Sequence, residues 1–261
     1  MRKIALVTGG ASGLGREAAA RLLESGWDVA IADLGGERLD AAVRALTEGM
    51  EEGHRVYGHA LDVRDPEAVT TVIDAVAALP GGLGALVTNA GISVQGSVLE
   101  NTLDAWRRLL DINLTGSYLC AQAAARHMVR GGSGRIVFIA SISALHTWSG
   151  RVAYSASKAG VLGLMKSCAV DLAPYGITVN AVSPGPVRTP QTDRLHSPVL
   201  QQTIQAAIPM ARYGQADEVA GAITYLCSDA ARYVTGHDLV VDGGLTAAAI
   251  LYDTTSNVVQ S

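Results

Sequence analysis

Cysteine is scarce in this sequence: the three that occur, Cys120, Cys168 and Cys227, stand far apart with no Cys-x-x-Cys pairing. Neither a disulfide framework nor a zinc knuckle is indicated, and buried reduced thiols are expected, which fits a cytoplasmic protein. Charge is scarce as well, at 17% of the 261 residues against 49% apolar ones. Such a chain is not a disordered one, and much of its surface must be hidden in a core or between subunits. The 20 Lys and Arg and 24 Asp and Glu give a net charge of -4 with no basic stripe, so nucleic acid is not an expected partner. Long apolar runs are missing too. After the basic Met1-Arg2-Lys3 only four apolar residues precede Thr8-Gly9-Gly10, which reads as a buried strand rather than a signal peptide. No stretch approaches the roughly 18 residues that cross a bilayer, so no membrane association is expected. The histidines at 54, 59, 127, 146, 196 and 237 have no metal-ligand spacing, so no metal is expected.

What is present is a repeated alternation. Short β-branched runs at 4–7, 29–32, 56–61, 85–87, 136–139, 177–179 and 239–241 predict seven strands, and Ala- and Leu-rich stretches at about 14–26, 36–50, 66–79, 101–130, 152–174 and 216–228 predict helices between them. The strand runs are nearly continuous in apolar residues, as in a parallel sheet covered on both faces. An α/β doubly wound fold follows, a seven-stranded parallel sheet with helices on both faces. No breaker is long enough to be a linker, so residues 1–261 read as one domain. The stretch 187–209, with three prolines and no clear period, reads as either a substrate lid or a surface loop.

Two groups of residues carry chemistry. Thr8-Gly9-Gly10-Ala11-Ser12-Gly13-Leu14-Gly15 follows the first strand and opens the first helix, where Gly13, Gly15 and Ala18 permit a tight turn and close approach of a pyrophosphate to helix amides. Asp33, at the end of the second strand, suits the hydroxyls of an adenosine ribose. Asp62 and Asn89-Ala90-Gly91 also sit at carboxyl ends of strands, although Asp62 could equally be a helix cap unless Asp65 before Pro66 supplies it. In the second group, Tyr154 and Lys158 lie four apart on one helix face, and the ammonium is expected to bring the phenol toward the working range of a base. Ser141, at the end of the fifth strand, can donate to an oxygen on which alkoxide charge develops.

From Val7-Thr8-Gly9 to Val241-Asp242-Gly243-Gly244 the chain resembles a classical short-chain dehydrogenase/reductase. The resemblance implies a Rossmann-type subunit with a pyrophosphate turn lined by Gly9, Ser12, Gly13, Leu14 and Gly15, an adenine flanked by Asp62 and Val63, and a sheet edge supported by Asn89, Ala90 and Gly91. It implies a tetrad of Asn113, Ser141, Tyr154 and Lys158, with Asn113 holding a proton-relaying water and Lys158 also touching the nicotinamide ribose. Pro184, Gly185, Val187 and Thr189 would border the nicotinamide, Val187 and Thr189 at its carboxamide. Thr88 and Ala140 stand where the family frequently has Asn and Ser, and both departures leave the tetrad intact.

The expected reaction is interconversion of a secondary alcohol and a ketone, with NAD as cofactor and a small-molecule alcohol or ketone as substrate. NAD is favoured because Asp33 would repel the extra phosphate of NADP while Leu34 and Ser12 offer no positive charge; Arg38 is expected to face solvent. Ser141, Ser143, Trp148 and Tyr154 are candidate substrate contacts; Gln95, His146, Arg188, Arg194 and His196 could border the pocket, Arg188 being read rather as solvated. A 3-oxoacyl carrier-protein reductase and a catalytically silent dinucleotide sensor are the alternatives. Ser155-Ala156-Ser157-Lys158 also fits the Ser-x-x-Lys of acyl-transfer enzymes, but the companion motifs are missing. The resemblance, the low charge and an apolar tail at 245–252 point to a homotetramer.

Overall fold

Near-continuous apolar strands make sense only in a sheet with two dry faces, and that is what the chain builds. The structure, a computed structural model, describes residues 1–48 and 53–248, with the backbone alone at Gln191. Seven strands, β1 Ile4–Thr8, β2 Asp28–Asp33, β3 Val56–Ala60, β4 Leu83–Thr88, β5 Gly134–Ile139, β6 Ile177–Pro184 and β7 Asp238–Val241, form one sheet in the order β3-β2-β1-β4-β5-β6-β7. Every pairing is parallel. The helices among the described residues are α1 Gly13–Glu24, α2 Glu37–Glu48, α3 Pro66–Ala78, α4 Leu103–Leu110, α5 Gly116–Gly131, α6 Val152–Leu172, α7 Pro190–Leu195, α8 Pro198–Ala207 and α9 Ala216–Cys227.

The period of two along each strand divides the core. In β1, Ile4 and Leu6 join Ile73, Met128 and Met165 of α3, α5 and α6 on one face. Ala5 and Val7 join Leu22, Leu39 and Ile223 of α1, α2 and α9 on the other. With both faces covered, the carboxyl edge of the sheet is left as the place for a ligand, and the crossover from β3 to β4 reverses the strand order between β1 and β4.

Two elements depart from the sequence reading. The helix expected over 101–130 is broken, because Asp111–Thr115 forms a π-turn between α4 and α5. One wide turn carries Asn113 inward, where its side chain bonds the backbone of residue 92. The stretch 187–209 is not an irregular loop but holds α7 and α8. Two of its prolines, Pro190 and Pro198, open those helices behind capping Thr189 and Ser197, and Pro209 follows α8. A capping box between Thr189 and Thr192 sharpens the first start. Asp65 caps α3 through Glu67 and Ala68, which leaves Asp62 free of that role. Cys120 and Cys227 are buried, with thiol pKa values pushed up to about 12 by desolvation, whereas Cys168 is only half-buried. No helix among the described residues is long and apolar enough to cross a membrane, and no metal-binding cluster occurs among them. Residues 249–252 of the apolar tail lie outside the described residues.

Candidate active site

A cavity of about 510 Å3 runs along the carboxyl edge of the sheet, from Asp33 and Asp62 at one end to Tyr154, Lys158 and the start of α7 at the other. Its middle is backbone. Gly9 and Gly13 hold positive φ values of 65° and 53°, which favour glycine, and turn the chain from β1 into α1. A Cβ on Gly15 would fall 2.2 Å from the carbonyl oxygen of Gly9, so no side chain fits there. Asn89 stitches this turn to β4, its Nδ2 donating to the carbonyls of Thr8 and Gly9, while Thr8 Oγ1 accepts from the amides of Asn89 and Ala90. Ser12 makes no side-chain cap on α1, and the first turn has no acidic residue. The first amides of α1 thus face the cavity without an intrahelical partner, a positive dipole end suited to a pyrophosphate.

At the adenosine end, Asp33 Oδ2 accepts from Ala11 N at 3.0 Å and Oδ1 from Leu34 N at 2.8 Å. Arg38 does not face solvent alone, as the sequence suggested: its guanidinium donates to Asp33 Oδ1 at 2.6 Å and lines the cavity. The short connection from β2 to α2, residues 34–36, brings it back over the strand end. A second pair was not foreseen: Arg64 holds Asp62 from two residues away, at 2.6 Å, and keeps that carboxyl below its ordinary range. Arg108 and Arg194 also line the cavity and enter no ion pair among the described residues.

At the other end the expected catalytic groups converge. Ser141, after β5, caps a short 3-10 turn by accepting from Ser143 N at 3.1 Å, and its side chain lies in the cavity with Tyr154 and Lys158 of α6. Lys158 Nζ donates to the carbonyl of Ile139 at 2.7 Å, and burial pushes its pKa down to about 8. Burial pushes the Tyr154 phenol up, with the Ser141 hydroxyl and the Arg151 charge acting in the opposite direction. The charge that acts on the phenol is that of Arg151, which sequence reasoning missed, and not the expected one of Lys158, whose Nζ lies 5.8 Å from the centre of the Tyr154 ring. Arg151 stands just before α6, three residues ahead of Tyr154, and no motif in the sequence marked it.

Asn113 is 1% exposed and lies behind the cavity rather than on it. Its Oδ1 accepts from Ile92 N, and its Nδ2 donates to Ile92 O and to Ser157 Oγ beside Lys158. The side chain thereby ties the loop after β4 to α6. Of the cofactor candidates, Gly9, Ser12, Gly13, Leu14, Asp33, Asp62, Val63, Asn89, Ala90, Gly91, Pro184, Gly185, Val187 and Thr189 line the cavity, and Gly15 does not. Ser143 and Trp148 are not brought to its wall, nor are Gln95, His146 and His196; Arg194 is. Ser143 is buried behind Ser141, and Trp148 stacks on Arg151 instead. Arg188 is half-exposed, bonded to Gln201 and stacked on Tyr213.

A parallel sheet with an uncapped helix at its switch point, and a tyrosine, serine and lysine at the same edge, defines a Rossmann-fold oxidoreductase that binds a nicotinamide dinucleotide. The chain belongs to the short-chain dehydrogenase/reductase family. Residues 9–246 match a family model described as enoyl-(acyl carrier protein) reductase. The chain is 44% identical over 246 residues to a cis-4-hydroxycyclohexanecarboxylate dehydrogenase of Sinomonas cyclohexanicum, covering 94% of this chain and 97% of that one. It is 36% identical to a 3-oxoacyl-[acyl-carrier-protein] reductase of Aquifex aeolicus, over 93% and 97% of the two chains. A solved gluconate 5-dehydrogenase from Burkholderia cenocepacia, in complex with NADP and tartrate, superposes with a TM-score of 0.89 at 34% identity, over 94% of this chain and 96% of the other.

Proposed function

We propose that this chain is an NAD-dependent dehydrogenase that interconverts a secondary alcohol and a ketone, with Tyr154 as the acid/base. The observation that carries the reading is the meeting of Tyr154, Lys158 and Ser141 in one cavity with the uncapped start of α1. Gly9, Ser12, Gly13 and Leu14 would hold a pyrophosphate, Asp33 an adenosine ribose, and Val187 and Thr189 a nicotinamide carboxamide. When bound, the nicotinamide takes or gives the hydride. In the oxidative direction Tyr154 Oη removes the hydroxyl proton of the alcohol, and in the reductive direction it returns one to the ketone oxygen. Ser141 Oγ donates to that same oxygen, stabilising the charge that develops on it. The Arg151 charge favours the phenolate, and the bond to Ile139 holds the Lys158 ammonium in place.

NAD rests on Asp33, fixed by two backbone amides at the end of β2. Arg38 lessens the repulsion that Asp33 exerts on a phosphate but leaves the carboxylate in the position of the ribose hydroxyls. A relative named for a hydroxycyclohexanecarboxylate and one named for a 3-oxoacyl carrier-protein thioester give the two substrate classes to try. The test is turnover with NAD and NADP on three pairs: cyclohexanol and cyclohexanone, 4-hydroxy- and 4-oxocyclohexanecarboxylate, and a 3-hydroxyacyl and 3-oxoacyl thioester. Turnover of an alcohol with NAD at higher kcat/KM than with NADP supports the reading. Preference for the thioester with NADPH would replace it with the carrier-protein reductase, and no turnover at all would leave a dinucleotide sensor. We also propose a homotetramer, supported by the exposed apolar Leu103 and Tyr118 of α4 and α5; light scattering that finds only monomer at micromolar concentration would refute it.

A further inference from the structure

Arg151 stands out as a buried charge without a counter-charge. Its residue is 7% exposed, yet it enters no ion pair among the described residues. A buried guanidinium is normally matched by a carboxylate, because desolvating an unpaired charge is costly. Here its partners are neutral: one terminal nitrogen donates to Ser93 Oγ at 2.5 Å and the other meets His196 Nε2 at 3.3 Å. The Nε hydrogen has no partner at all. Burial lowers its pKa, in keeping with a cation held at a cost.

Arg151 does not itself line the cavity, but it packs against residues at the Tyr154 end of it. The guanidinium carbon lies 5.3 Å from the centre of the Tyr154 ring and 5.4 Å from that of Trp148. Ser93 follows Ile92, which lines the cavity, and Gly96 bridges to Arg151 itself. His196, the residue that closes α7, rests on Arg151 through the weaker of its two bonds and is fixed behind by Tyr213 Oη at 3.0 Å. The neutral cover on the cation is thus carried by the short helix between Thr189, at the cavity, and α8.

We infer that Arg151 is the anchor for a carboxylate on the substrate, so that the alcohol or ketone acted on at Tyr154 is a hydroxy acid or oxo acid with its carboxylate a short spacer away. The incoming carboxylate takes the place of His196 on the guanidinium as α7 shifts, and supplies the missing counter-charge. The unmatched Nε then has an acceptor beside it, since guanidinium and carboxylate pair through two parallel bonds. A neutral alcohol offers nothing of the kind and leaves the charge as it is.

This inference rests on the proposed alcohol/ketone reaction, so its test separates the two. The reading is the ratio of kcat/KM for 4-oxocyclohexanecarboxylate to that for its methyl ester. Any effect of Arg151 through the Tyr154 phenol strikes both substrates alike and cancels in that ratio. Wild type is expected to favour the acid by about 10- to 100-fold, the range of one charge-assisted pair. Arg151→Gln should bring the ratio to within about threefold of unity, and Arg151→Lys, which keeps the charge, should restore part of it. An unchanged ratio in Arg151→Gln, or equal losses on acid and ester, overturns the anchor while leaving the reaction standing. If neither ketone turns over, binding of cyclohexanecarboxylate to the enzyme in the presence of NADH, followed by NADH fluorescence, decides. Binding that is lost in Arg151→Gln supports the anchor although the reaction reading fails, and binding that is equal in both proteins refutes it.

Discussion

The two ends of the cavity are built by different means. The dinucleotide end is made of backbone: a glycine turn, the first amides of α1 and the carboxyl ends of β1, β2 and β4, held by bonds such as those from Asn89 to Thr8 and Gly9. The other end is made of side chains, Ser141, Tyr154 and Lys158, and behind it Ser93, Arg151, His196 and Tyr213, which come from far apart in the chain, are joined by polar contacts. The first kind of site tolerates no added atoms, whereas the second is adjustable one side chain at a time.

Gly15→Val is the harshest way to test that contrast. A Cβ there falls 2.2 Å from Gly9 O and 2.4 Å from Asn89 Nδ2, so the turn must move. We expect the Kd for NADH to rise by about 100-fold or more, close to 3 kcal/mol, in fluorescence titrations. Affinity near that of wild type would show that backbone shape does not make the dinucleotide end. A smaller effect is expected of Asp33→Ala with Leu34→Arg, which removes a carboxylate and adds a phosphate partner without moving the turn. The ratio of kcat/KM for NADP to that for NAD should rise by at least about tenfold. An unchanged ratio would mean that Asp33 does not set cofactor choice.

The smallest expected effect sharpens the substrate end. Burial and the neighbouring Arg151 charge hold the His196 pKa below its ordinary 6.5. As pH falls through 6.5 the unfolded chain takes up that proton before the folded one does, so the stability contributed by neutral His196 is present above that value and declines below it. The melting temperature of wild type should therefore fall more between pH 7.5 and pH 5 than that of His196→Asn. Parallel profiles for the two proteins would remove His196 from the account.

The same contrast explains what could be read from the sequence. The strands, their parallel sheet and the glycine turn depend on local period and on spacings of a few residues, and Tyr154, Lys158 and Ser141 were legible because short motifs carry them. Arg151 was not: its meaning lies in partners 58 and 45 residues away. The π-turn at Asn113 escaped for a related reason, since its cause is a bond to residue 92 that no helical period announces. Arg38 was misjudged because the chain turns between β2 and α2, which brings a side chain five residues on in sequence back to Asp33. The prolines of 187–209 were read as breakers of structure when two of them open helices.

The central claim, that Tyr154 moves the substrate proton, is tested most directly by Tyr154→Phe, which removes one oxygen and keeps the ring. Single-turnover rates should fall by about 100-fold or more, the usual scale of lost acid/base catalysis, while the Kd for NADH stays within about threefold of wild type. A variant that keeps more than about a third of wild-type turnover, with the chemical step shown to be rate-limiting, would contradict the assignment.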